Sequence, residues 1–246
     1  IDPYTLNIMA QVPRFGVETR SIAEALSAVP FATAAGSFTA YEAKVAAGVK
    51  AGSGSHNKYV MAAARYIPRS ISVRHGENAS FRFEAIGYTA AGGNAPLAMT
   101  FDQDLATHTP GSEHLFTLGP VQIEGTAIEG VEGFTLDFGI SELVRAADGV
   151  TAPKDINIGS RMPVLQIECT DLDSLDAAVN SSGVSGSPIS TAAVVYLRKR
   201  TDDGLFVADG TASHIKLTFA AGAFDVVAVR GDYPRSSTIR LQARRG

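Results

Sequence analysis

The sequence predicts a mainly β protein: a β-sandwich or barrel with one or two short helices and long loop or arm insertions. Three observations carry this expectation. Apolar and polar residues alternate with period two through many short runs, the pattern of strands with one buried and one wet face. Glycine, proline and small polar residues punctuate those runs at short intervals. Helix-type spacing behind a capping residue occurs in only two short places. Composition divides the chain into residues 1–57, an N-terminal arm with a short helix and a long small-residue loop, and residues 58–246, the β domain, although a chain of 246 residues also suits one domain overall.

Taken in order, residues 1–16 read as an extended arm in which Leu6 and Ile8 alternate. Ser21 offers an N-cap with Glu24 three residues on, which predicts a helix over 22–28 that stops before Pro30. Residues 31–57 are rich in Ala, Gly and Ser and read as a long loop or a weakly helical segment, either an arm that orders against a neighbouring subunit or a surface loop. Strands are expected over 59–66, 70–75 and 80–88, the last with Phe81, Phe83 and Ala85 on one face and a turn at His75 to Asn78 before it. A short strand over 97–101 follows.

The densest alternation lies between Phe116 and Ile140. Leu118, Val121 and Ile123 precede Gly125, Gly130 and Gly133, and Phe134, Leu136, Phe138 and Ile140 form a strict period-two row, so the stretch reads as one hairpin. Residues 142–160 read as turn-rich, with a second protruding loop near 148–155. Residues 161–170 supply a strand with Val164, Leu165 and Ile167 as core, and Thr170 caps a short helix carrying Leu172, Leu175 and Val179. Closing strands are expected over 191–199, 214–219 paired with 224–230 across a small-residue turn, and 238–243. No fixed-period repeat is present.

Composition excludes several functions. A formal net charge of −4 and a pI near 5.7 argue against a nucleic-acid binder, and Arg240, Arg244 and Arg245 are too few to change that. The single cysteine, Cys169, cannot form an intramolecular disulfide and alternates with Leu165 and Ile167, which predicts a buried, inert thiol. No apolar run approaches the ~18 residues of a membrane span and no charged-then-apolar leader opens the chain, so no membrane anchor is expected.

The motifs of catalysis fail on inspection. Gly183 to Ser187 lacks the acid and the second glycine of a serine-protease loop, and Gly52 to Ser55 lacks the rest of a phosphate loop. His56, His75, His108, His114 and His214 are scattered without metal-ligand spacing, and Asp171, Asp173 and Asp176 suit helix capping better than calcium. With no Trp and 8% aromatics, a carbohydrate-cleaving cleft is also disfavoured. No catalytic, cofactor-binding or metal-binding residue is assigned, no cofactor is expected, and the expectation is a non-enzymatic protein.

The pattern Phe116-x-Leu118-Gly119-Pro120-Val121-x-Ile123-x-Gly125, then Gly130-Val131, Phe134-x-Leu136-Asp137-Phe138-Gly139-Ile140 and Ser160-Arg161-x-Pro163-x-Leu165-x-Ile167, resembles virion structural proteins of tailed bacteriophages, most closely the tail-tube type. The resemblance spans about residues 58–219 and rests on structural motifs. It implies a homo-oligomer of stacked rings, gripped by a long loop and terminal arms, in contact with other virion proteins and passing DNA as cargo without specific binding. It also implies a place in the virion after assembly in the host cytoplasm. In that frame residues 31–57 and 148–155 are the expected assembly loops, and the Phe116 to Ile140 stretch provides packing and inter-subunit sheet contact. A capsid-decoration or other β-rich binding module is the alternative reading, followed by an unrecognised hydrolase.

Overall fold

A computed structural model describes residues 5–11, 36–43, 56–89, 96–104, 115–146, 149, 152–171, 191–200, 205–206, 214–220, 224–232 and 236–243. The protein is mainly β, with antiparallel strands throughout and no helix among the described residues. The two expected helices, at 22–28 and after Thr170, fall outside them. In chain order the strands are β1 (Thr5–Gln11), β2 (Gly36–Ala43), β3 (His56–Arg74), β4 (Ser80–Gly87), β5 (Leu97–Gln103), β6 (Leu115–Ile123), β7 (Thr126–Ile128), β8 (Val131–Asp137), β9 (Ile140–Arg145), β10 (Asp155–Arg161), β11 (Val164–Cys169), β12 (Ala192–Arg200), β13 (Ile215–Ala220), β14 (Phe224–Asp232) and β15 (Ser236–Ala243).

The larger sheet runs β1-β4-β3-β8-β11-β15-β14, with β2 and β5 added along β3. A second sheet runs β13-β12-β6-β7, and β9 with β10 makes a separate two-stranded hairpin. One buried cluster joins the two main sheets: Ile71, Phe81, Phe83, Leu136, Ile167 and Leu241 from the first meet Val121, Ile123, Val195 and Leu197 from the second. Phe81 stacks on Phe83 with ring centroids 5.4 Å apart and meets the edge of Phe138 at 6.5 Å. Burying each such ring contributes about 2–3 kcal/mol, so these period-two rows are the main reason the strands stay sheeted.

β3 is the spine. Residues 59–66 and 70–75 were expected as separate strands, yet the chain runs as one 19-residue strand through Pro68. The ladder to β4 shifts register between Pro68 and Ser70, a bulge that accommodates a residue without an N–H. Ala64 pairs with both Gly36 of β2 and Gly87 of β4, Met61 with both Phe38 of β2 and Leu97 of β5, and Ser70 with both Arg82 of β4 and Asp137 of β8. One flank of β3 therefore carries β4 and then β5, and the other carries β8 and then β2. The C-terminal part of β3 lies in the core sheet, while residues 56–61 continue beyond β4 as the middle of a three-stranded ribbon.

The expected Phe116 to Ile140 hairpin is not one. β6 turns at once into β7 through Glu124 and Gly125, whose φ angles of 56° and 79° are those of a two-residue type I′ turn. β8 then leaves for the other sheet, between β3 and β11. The stretch is a corner that crosses between sheets, with Ile140 already in β9. Likewise β13 pairs with β12 and β14 with β15, so the expected pairing of 214–219 with 224–230 does not occur. Residues 31–57, expected as loop or weak helix, include β2, and the arm's Leu6 and Ile8 lie on β1 paired with β4. Period-two alternation identifies strands but carries no information about distant partners, which is why the strands were legible and these pairings were not.

Candidate assembly surfaces

The turn-rich reading of residues 142–160 gives way to a hairpin, β9 against β10; of the expected loop 148–155, Asp155 opens β10 and residues 148, 150 and 151 lie outside the described residues. The base of the hairpin is closed by two devices. Gly139 has φ +55°, and a Cβ there would stand 2.1 Å from the Met162 carbonyl oxygen, so only glycine fits; the Met162 N–H donates to the Gly139 carbonyl at 3.0 Å. The second device is Arg69, the extra residue at the β3 bulge. Its Nη1 donates to the Ile140 carbonyl at 2.7 Å, and its Nη2 donates to Glu142 at 2.8 Å and to Glu84. Burial works against the charge of Arg69, but its hydrogen bonds and attraction to Glu84 and Glu142 outweigh this and hold the guanidinium protonated beyond its ordinary range. The bulge thus re-aims a side chain that ties β3, β4 and β9 together.

Beyond that brace the hairpin presents Leu143 and Val144 to solvent, 52% and 44% exposed. β5 does the same on the ribbon along β3: Met99 and Phe101, 48% and 55% exposed, share one face of a strand that has no buried residue. A third pair, Leu205 and Phe206, is exposed next to the outer face of the β13-β12-β6-β7 sheet, where Phe206 bridges to Arg200. Scattered apolar side chains are ordinary on a protein surface. Here they come as three close pairs, on β5, on β9 and beside β12, a pattern of the kind found at contact surfaces.

The outer face of the smaller sheet has its own chemistry. The guanidinium carbons of Arg198 and Arg200 stand 5.0 and 5.6 Å from the Phe206 ring centroid, and Lys216 Nζ is 5.7 Å from that of Tyr196. His214 Nδ1 accepts the Lys199 N–H at 3.2 Å. Pro120, Gln122, Tyr196, Arg198 and His214 line a shallow depression here of about 210 Å³. Between β8 and β13 a more apolar depression of about 230 Å³ is lined by Leu136, Phe138, Pro163, Leu217 and Phe219. Both are smaller than the ~300–1,000 Å³ usual for small-molecule sites.

The residues singled out on chemical grounds disperse. Cys169 is buried as expected, and its Sγ lies within hydrogen-bond distance of the Glu129 carbonyl (2.9 Å) and the Asp171 carbonyl (3.2 Å). Burial pushes its thiol pKa up, which keeps it in the unreactive protonated form. His56 is buried at the start of β3, His75 is exposed in the β3–β4 turn, and His214 precedes β13. Arg240 is exposed on β15. His108, His114, Asp173, Asp176, Arg244, Arg245 and the segments 52–55 and 183–187 lie outside the described residues. Among the described residues no group of three His, Cys, Asp or Glu is placed to hold a metal, and no helix is long and apolar enough to cross a membrane. Sequence alone does not mark Met99, Phe101, Leu143 and Val144 as surface features, because an apolar residue in a strand is inward-facing by default.

Neither a scan against protein-family models nor a comparison with curated proteins finds a match for this sequence.

Proposed function

We propose that the protein is a non-enzymatic virion structural subunit that self-assembles into stacked rings, forming the tail tube of a tailed bacteriophage through which DNA passes. The observation that carries this reading is the exposure of the large apolar side chains Met99, Phe101, Leu143 and Val144 on β5 and β9. Exposed side chains of that size are costly in a monomer and useful in an interface. Among the described residues the larger sheet also ends at β1 and β14 without closing on itself, and such edges in an assembling subunit are covered by neighbours. The resemblance of the residues from Phe116 to Ile167 to tail-tube proteins points the same way. The partners are then further copies of this chain and other virion proteins, with DNA as unbound cargo and the assembled virion as location.

Negative-stain electron microscopy of the purified protein, with sedimentation velocity from micromolar to high concentration, tests the reading. Rings or hollow tubes are expected. A species that stays monomeric at every concentration overturns it, and a monomer that decorates the outside of capsids instead establishes the decoration reading.

A further inference from the structure

The outer edge of the β9–β10 hairpin has the form of a site for a further strand. Among the described residues β9 pairs with β10 alone, and from Ser141 to Ala146 every residue but Glu142 is exposed. The Arg145 carbonyl accepts the Lys154 N–H at 2.7 Å inside the hairpin, whereas the Ile140 carbonyl points the other way and accepts Arg69 Nη1. Backbone groups alternate sides along a strand, and the one register shift of the pair, between Ile158 and Ser160 of β10, leaves β9 itself unbroken. The N–H and C=O groups of Glu142 and Val144 therefore face the open edge, and those of Leu143 and Arg145 face β10.

The side chains on this edge say how it is covered. Leu143, 52% exposed, lies on the face of Gly159, and Val144, 44% exposed, lies on the opposite face across from Ile156. A protein surface laid on either face covers one of the two. A strand added along the edge flanks both, because its own side chains alternate in the same way. The devices that blunt an exposed edge are missing here: from Glu142 to Ala146 there is no Pro, no Lys and no bulge.

We propose that β9 of one copy pairs antiparallel with β9 of a second copy, about a two-fold axis at Val144. Arg69 already takes the Ile140 carbonyl, so the free edge runs from Glu142 to Ala146, and centring on Val144 uses all of it. Val144 then exchanges backbone hydrogen bonds with the partner's Val144. Glu142 keeps its bond to Arg69 and lies opposite the partner's Ala146, and Leu143 lies against the aliphatic stem of the partner's Arg145, so no like charges stand opposite one another. The paired stretch is short and falls well below the ~800 Å² per partner of a stable complex. So small a contact forms only between strands already held at high local concentration, as copies within one assembly are, which makes a second copy the occupant. This rests on the self-assembly reading above. A two-fold contact joins two copies and stops, so it adds to the contacts that propagate the assembly.

Cysteine cross-linking tests the contact in the full chain, where the single native cysteine, Cys169, is buried and leaves the background silent. Opposed residues of a hydrogen-bonded antiparallel pair have Cα atoms about 5.5 Å apart, within disulfide range, whereas Leu143 and the partner's Leu143 lie roughly 7–8 Å apart on the diagonal. Oxidised glutathione added to the assembled protein is therefore expected to give covalent dimers of Val144→Cys at least tenfold faster than of Leu143→Cys. Val144→Pro deletes an outward N–H and leaves the β10 ladder intact, and Val144→Lys blunts the same edge by charge; each is expected to weaken self-association at least threefold by sedimentation velocity. In the parent, amide exchange at Glu142 and Val144 is expected to slow on going from dilute to assembled protein, while exchange at Leu143 and Arg145 stays the same, a measurement that needs no variant to fold. A parent that never associates overturns both this contact and the assembly reading. A parent that assembles while Val144→Cys cross-links no faster than Leu143→Cys overturns this contact alone. So does assembly that leaves exchange at Glu142 and Val144 unchanged, or Val144→Pro and Val144→Lys variants that both associate as the parent does.

Discussion

The two ends of β3 follow different rules although they belong to one strand. From Ala64 to Val73 most side chains are buried, β4 lies on one flank and β8 joins the other, and the residues belong to the shared core. From His56 to Ala63 the neighbours are β2 and β5, and β5 has no buried residue. Both ends of β3 bury side chains, His56 and Met61 at the ribbon end included, and what differs is the neighbour: β4 and β8 bury their own alternate residues, whereas β5 buries none. A single long strand can thus carry a buried neighbour along one part and an exposed one along another, with the Pro68 bulge between them. The difference is measurable, and five variants rank it.

The largest effect is expected in the core end. Phe81→Ala removes a fully buried ring stacked on Phe83, and should lower unfolding free energy by about 3–5 kcal/mol in urea titration. Next is the hinge of the β9–β10 hairpin, where Gly139→Ala sets a Cβ against the Met162 carbonyl in a left-handed backbone; a loss of about 1–3 kcal/mol is expected. Arg69→Met removes the brace and leaves Glu84 and Glu142 facing each other. It should cost about 1–2 kcal/mol after screening at this partly exposed site, and amide exchange in 140–161 should quicken while exchange in β11 does not.

A smaller effect appears only at alkaline pH. Burial holds the Cys169 thiol pKa above its unfolded value, so the stabilisation is complete below the ordinary thiol range and is lost as pH rises through it toward the folded value. Thermal stability above about pH 8.5 should therefore fall more steeply in the parent than in Cys169→Ala. The ribbon end closes the ranking: Met99→Ser with Phe101→Ser should change unfolding free energy by no more than about 0.5 kcal/mol while reducing self-association. A large stability loss there would show that β5 belongs to the core after all.

The parts legible in the sequence are those decided by local alternation. Phe81, Phe83 and Ala85 in β4, and Leu165, Ile167 and Cys169 in β11, are buried as their spacing predicts. What sequence could not supply is whatever depends on a distant neighbour. Glu124-Gly125 is a tight turn whose first residue is not one of the usual turn formers, so the β6–β7 hairpin was merged into a larger one. Ile156 and Ile158 alternate in β10, but Asp148-Gly149-Val150 and Ala152-Pro153-Lys154-Asp155 just before them gave the segment the look of a loop. The cationic face of the smaller sheet is invisible to a whole-chain charge of −4, because charge segregates only once β6, β12 and β13 lie side by side.

The pairing of β6 with β12 also has a temporal consequence during synthesis. Ile123 leaves the ribosome well before its partner Ala193, and at ordinary elongation rates the delay is on the order of ten seconds. Throughout that interval Phe116, Val121 and Ile123 have only the three residues of β7 beside them within their own sheet, and a hairpin that small is not stable alone. The cationic sheet consequently forms late, after most of the chain has been made. Whatever contacts that sheet makes are therefore available only near completion of the chain.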